Sequence, residues 1–236
     1  MIDVRLMATI AIMLTIPTLF VRPWPADAAT AGVMDTSAGA LFVGVIFARL
    51  SAVAFDDPGS LTNLSDLLII RSGMEFWPGL AAATMWLAMG ARRADLSIAA
   101  RLAALVPAAL TAWACYEATC LIRDGCPGPP SVIGLHPDGL ASRMFPVGLT
   151  VAIVAGASAF LLDRLHRRGV PNPQIVVGAV AAVAGIRSVA SIWLPRIGDG
   201  LTRQHRESIV AFLISSAVLV MARFRSRSQR RTAVPS

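Results

Sequence analysis

The ionisable side chains Arg49, Glu75, Arg101, Glu117, Arg123 and Arg187 fall at or within stretches that are otherwise apolar. A charge inside a spanning helix costs a few kcal/mol on insertion scales, so such residues are functional candidates by default. A guanidinium suits two-point capture of a phosphate. Arg187, in the stretch AVAGIRSVAS, is flanked by small residues that let other helices approach closely. A carboxylate at Glu117 or Glu75 can serve as a general base. Each residue also has a plainer reading. Arg49 can either snorkel to the headgroups or be buried. Glu75 follows Arg71 by four residues, the spacing of a helical ion pair. Glu117 can pair with Arg49 or Arg187 across helices. Arg101, in the first turn of the fourth apolar run, is expected to snorkel.

The thiols Cys115, Cys120 and Cys126 cluster in one stretch, CYEATCLIRDGCPGP. Cys115 reads as a small buried hydrophobe. Cys120 and Cys126 can form a disulfide in an oxidising compartment, although spacing alone does not show that their Cβ atoms meet. A nucleophilic thiol lacks a neighbouring histidine to activate it. The histidines at 136, 166 and 205 are far apart in sequence, and no Cys/His set has metal-ligand spacing, so neither metal nor cofactor is expected.

These residues need a scaffold of a particular kind. The chain has 236 residues, 56% of them hydrophobic and 15% charged, and its mean hydropathy is +0.66. Soluble domains carry about 25% charged residues, so the composition is that of an integral membrane protein. The 21 basic residues are all arginine. Most lie in short links between apolar runs or in the tail, where they act as topology signals at an anionic membrane surface rather than as a nucleic-acid footprint.

A spanning helix needs about 20 mostly apolar residues. The apolar runs are 6–21, 33–55, 76–89, 98–122, 147–162, 174–194 and 208–221. The first contains Pro17 and is followed by ADAA, so it is either a retained helix or a cleaved secretory signal, with the retained helix preferred. The expected fold class is therefore all-α: a polytopic membrane protein of about seven transmembrane helices. It would form a single domain over 1–222, followed by a basic tail over 223–236 with no fold of its own. Arg92 and Arg93, Arg164, Arg167 and Arg168, and the arginines of the tail fall on one side by parity. The positive-inside rule makes that side cytoplasmic, with the N-terminus outside. The links at 56–75, 123–146 and 195–207 then face out.

Several segments together resemble the prolipoprotein diacylglyceryl transferase family, seven-helix bacterial membrane enzymes, from roughly residue 40 onwards. IFARLSAVAF (46–55) resembles the family's second-helix segment, and RSGMEFWPGLAA (71–82) its SFHGGL segment. PAALTAWACYEATCLIRDGCPG (107–128) matches the signature helix in spacing from Pro107 to Gly128. RMFPVGLTVA (143–152) resembles the HPxQLYE segment, GIRSVASIWLPR (185–196) the sixth-helix segment, and the stretch from Leu201 the last helix with its GQxxS turn. The resemblance implies a multi-pass protein of the bacterial plasma membrane. It would move a diacylglyceryl group from phosphatidylglycerol to the lipobox cysteine of a preprolipoprotein signal peptide. Arg187, Arg49 and Gly128 fall on family positions. Arg123 and Arg143 are further candidates for holding the phospholipid, with Glu117 or Glu75 as base. The sequence departs from the pattern at several places. Trp77 takes the place of the family histidine, Glu117 that of the signature arginine, Cys120 that of the asparagine and Ser191 that of the sixth-helix glutamate. Two relatives of other kinds are therefore also expected from the residues: a non-catalytic phospholipid-binding or assembly protein, and a transferase with another acceptor.

Overall fold

The computed structural model describes residues 4–20, 33–56, 58–59, 73–123, 126, 128–136, 142–193 and 202–232. Helices dominate the described residues: α1 (Val4–Phe20), α2 (Val33–Asp56), α3 (Phe76–Arg93), α4 (Ile98–Ala118), the four-residue α5 (Cys120–Arg123), α6 (Val147–Arg167), α7 (Asn172–Trp193) and α8 (Arg203–Thr232), together with a short strand, β1 (Pro130–Leu135). Among the described residues, five segments are long and apolar enough to cross a membrane: Thr36–Asp56, Ile98–Arg123, Val147–Arg167, Asn172–Trp193 and Arg203–Arg225. The architecture is that of a helical, multi-pass membrane protein. Its helices carry exposed large apolar side chains such as Leu41, Phe42, Ile153, Phe160, Leu213 and Ile214, as expected of surfaces solvated by lipid rather than water.

Helix ends follow local chemistry. α3 and α6 stop in the same way. Asp95 (φ 52°) and Gly169 (φ 78°) adopt the left-handed conformation. The Leu96 amide then donates to the Ala91 carbonyl at 2.9 Å, and the Val170 amide to the Leu165 carbonyl at 3.2 Å. Both are Schellman closures, and both produce tight turns into the next helix. α4 stops at Thr119, whose Oγ1 donates to the Tyr116 carbonyl at 2.6 Å.

Two helices differ in extent from their apolar runs. α8 begins at Arg203, five residues before the run at 208, because Thr202 caps it. Its Oγ1 accepts the His205 amide at 3.3 Å, an N-cap bond to the third helical residue. Arg203, His205 and Arg206 therefore belong to the helix and not to a connecting loop. At the other end α8 continues to Thr232, into the segment expected to lack a fold. Arginine is a good helix former, and cations are favourable at a helix C-terminus.

The chain divides into two compact units, Trp24–Ala104 and the combination of Met1–Pro23 with Leu105–Ser236. In the first, α2 and α3 run antiparallel in very close approach. A Cβ placed on Gly79 would lie 2.8 Å from both the Ala48 Cβ and the Gly44 carbonyl oxygen. One on Gly44 would lie 3.1 Å from the Ala83 Cβ. Gly44/Ala48 and Gly79/Ala83 are thus facing small-xxx-small pairs, the contact that lets helix backbones touch where lipid offers no hydrophobic drive. In the second unit α7 packs between α6 and α8. Val147, Val151 and Ala190 are buried against Trp113, Phe145 and Ile186, and Gly185 leaves room for the Phe212 ring.

Replacing Gly79 with valine is expected to destabilise the protein by about 1–3 kcal/mol through overpacking. Gly73→Ala, where nothing lies within 4 Å of an added Cβ, should be close to neutral. Thermal unfolding of both variants in one detergent checks the difference.

Candidate functional site

The candidate residues divide between the two units. In the Trp24–Ala104 unit, Arg49 and Glu75 are both buried, 8% and 5% exposed, so Arg49 does not snorkel. The Arg49 guanidinium reaches the Gly73 carbonyl at 3.5 Å, and the Glu75 amide donates to the Ala48 carbonyl at 3.0 Å. The chain thus enters α3 alongside the Arg49 turn of α2. Arg71, the expected ion-pair partner of Glu75, lies outside the described residues. Arg101 corrects an expectation. Rather than snorkelling it is buried, and its Nη2 donates to Thr36 Oγ1 at 2.7 Å. A neighbouring hydroxyl on α2 gives the guanidinium a partner inside the protein.

In the other unit, Glu117 is half-buried and its Oε1 accepts the Trp113 indole N–H at 3.0 Å. That contact joins neighbours one turn apart on α4. Arg123 folds back over the same helix. Its guanidinium lies 4.3 Å from the Tyr116 ring centroid, donates to the Tyr116 hydroxyl at 3.2 Å and to its carbonyl at 3.3 Å. It works there as a helix cap with a cation–π contact. Cys120 and Cys126 form a disulfide with Cα atoms 4.7 Å apart, while Cys115 is free. The bridge leads into Gly128, where any Cβ would strike the Phe145 carbonyl and lie 2.9 Å from Val147 Cγ2. Gly128 therefore serves backbone packing. Arg143 is exposed, and its carbonyl accepts the Ser131 amide at 2.9 Å.

Arg187 stands in a polar contact between α7 and α8. Its Nη2 donates to Gln204 Oε1 on α8 at 2.9 Å. One helical turn further along α7, Ser191 Oγ is hydrogen-bonded to His205 Nδ1 and lies 2.9 Å from the Ser188 carbonyl. His205 is 6% exposed and Ser208 1%. One arrangement of hydrogens satisfies both Ser191 contacts: the hydroxyl donates to the Ser188 carbonyl and Nδ1–H donates to Ser191 Oγ. In a neutral imidazole so arranged the lone pair resides on Nε2. The sequence reading missed this pair because His205 sits ahead of the apolar run at 208. The Thr202 cap, and the spacing of Gln204, His205 and Ser208 on one helical face, are the signals that carry it. On another side of α7, a groove of about 220 Å³ runs against α6, lined by Thr150, Val151, Val154, Ile186, Val189 and Trp193.

No group of three or more His, Cys, Asp or Glu side chains that could hold a metal stands together among the described residues. No protein-family model matches the chain, and no curated protein matches its sequence.

The unreduced, denatured protein is expected to take up one maleimide label, on Cys115, and all three cysteines should react after reduction. Cys126→Ala should lower stability by about 2 kcal/mol through lost loop closure. Mass spectrometry and thermal unfolding check these outcomes.

Proposed function

We propose that this chain is a phospholipid-handling membrane protein of the diacylglyceryl-transferase kind, with Arg187 as the cation that receives the lipid phosphate. The observation that carries the reading is the pairing of Arg187 with Gln204 one helical turn from Ser191 and His205. The neutral Gln204 amide orients the guanidinium without itself neutralising it, and a guanidinium suits two-point capture of a phosphate. The proposed topology adds α1 and α3 to the five spans, making seven, with the N-terminus outside and α8 ending in the cytoplasm of a bacterial plasma membrane. Arg187 and His205 then lie towards the outer leaflet. The groove between α6 and α7 has the apolar lining that an acyl chain requires.

The proposed chemistry joins an acceptor thiol, the lipobox cysteine, to the glyceryl carbon of phosphatidylglycerol. The thiol proton passes to a base, the sulfur forms a thioether bond to that carbon, and the carbon–oxygen bond to phosphate breaks. Glycerol phosphate leaves with the electron pair. His205 is the better placed base than Glu117, because the Ser191 contact leaves its Nε2 lone pair available, whereas Glu117 holds Trp113. Arg187 stabilises the phosphate as its negative charge grows. Arg49 and Glu75 order the entry into α3 in the other unit.

A second reading keeps the lipid site without the reaction. It is favoured by the structural use of Glu117, the residue standing at the signature arginine's place. Complementation of a transferase-depleted bacterium separates the two. The transferase reading expects rescue that Arg187→Ala removes and that His205→Asn lowers by about 100-fold in the rate of thioether formation. Phosphatidylglycerol bound in an Arg187-dependent way, without rescue by the well-expressed protein, selects the non-catalytic reading. Arg187→Ala that leaves both rescue and lipid binding intact refutes both.

A further inference from the structure

The most exposed large apolar side chains among the described residues are not on the spanning helices. Val132 is 90% exposed and Ile133 80%, and both stand on β1. The strand is an arch. Pro130 and Leu135, its two ends, both pair with Met144, so the residues between them bow outwards. The Ile133 amide donates to Ser131 Oγ at 3.2 Å, which shapes the crest. The feet of the arch are fixed. The Ser131 amide donates to the Arg143 carbonyl, and the Phe145 amide to the Pro129 carbonyl, each at 2.9 Å. A Cβ on Gly128 or Gly134 would strike the Phe145 or Met144 carbonyl. The Cys120–Cys126 disulfide closes the approach from α5. An arch braced at both feet holds its two apolar residues outward.

The position of the arch indicates what covers them. It follows the span that ends at Arg123 and precedes the span that begins at Val147, so both its feet stand at one face of the bilayer. Its described surroundings, 128–136 and 142–146, carry His136 and Arg143, both exposed, and the intervening stretch 137–141 adds one carboxylate, Asp138. An apolar crest flanked by a guanidinium and an imidazole is the composition of an interfacial segment, which buries its apolar part at the headgroup–acyl boundary and sets its cations among the phosphates.

We infer that the β1 arch is a membrane-interface anchor, with Val132 and Ile133 inserted just below the headgroups of an anionic bilayer and Arg143 placed against lipid phosphate. The inference requires the spans on either side and is independent of the transferase reading. By dipping at the end of α5, the arch fixes the depth at which the disulfide and the start of α6 meet the lipid surface.

The test uses the full chain in vesicles of phosphatidylcholine with phosphatidylglycerol. Ile133→Cys is made in a Cys115→Ala background and labelled with an environment-sensitive fluorophore, and Ser97→Cys serves as an exposed reference. The expected result is an emission shifted to the blue at 133. It should be quenched by lipids carrying a nitroxide near the headgroup and, with iodide present on both faces of the vesicles, lose quenching by aqueous iodide, while position 97 retains iodide quenching. Adding Arg143→Ala should weaken the dependence of the shift on phosphatidylglycerol content. A water-like, iodide-quenched emission at 133 overturns the inference. So does a blue emission that the nitroxide lipids do not quench, because protein and not lipid would then cover the crest. A variant that fails to reach the vesicles is replaced by the same label at Val132→Cys, which is read in the same way.

Discussion

A bilayer interior offers a buried polar side chain no water, so each polar group on a spanning helix must find its partner on the protein. That constraint organises the structure. Arg101 reaches Thr36, Arg187 reaches Gln204, Ser191 meets His205, and Trp113 meets Glu117. Three of these four contacts join different helices, and each fixes the register of the pair it links. Serines with no cross-helix partner turn inward on their own backbone, as Ser158 does towards the Val154 carbonyl and Ser215 towards that of Ala211. Such bonds leave the helix face apolar to its neighbours and to lipid.

The same solvent explains the use of glycine and alanine. Lipid tails are as apolar as leucine, so large side chains gain little by leaving lipid for each other, and close backbone contact is what remains. α2 and α3 meet through Gly44, Ala48, Gly79 and Ala83. Ala155, Ala159 and Ala184 are likewise buried on α6 and α7. Cores of this kind are sensitive to added volume and tolerant of changes on the lipid-facing side, the reverse of what hydrophobicity alone suggests.

The helices were legible because length and hydropathy report burial in lipid directly. The helical ends were legible only where a residue of special conformation or capping chemistry was weighed. Gly169 ends α6 in plain view, whereas Thr202 starts α8 inside a run of charged residues that reads as a loop. Partners across helices were not legible. Nothing in the sequence near Arg101 points to Thr36, sixty-five residues away, and the snorkelling expectation failed for that reason. The disulfide is a middle case. Spacing allowed it, and the turn at Thr119 together with the positive φ of Cys126 brought the two Cβ atoms together. Arg187 was legible as a charge inside an apolar run. Its neighbours Gln204 and His205 were passed over because they stand where the apolar pattern stops.

The length of α8 has a mechanical meaning. Thirty residues at 1.5 Å of rise make a rod of about 45 Å, while the hydrocarbon core is about 30 Å thick. Unless it tilts steeply, roughly three turns of one continuous helix stand clear of the hydrocarbon. Rotation or tilt at the Gln204–His205 end is then transmitted along a stiff shaft to the far end. A small displacement where α8 meets α7 becomes a larger sweep at the arginine-rich tip.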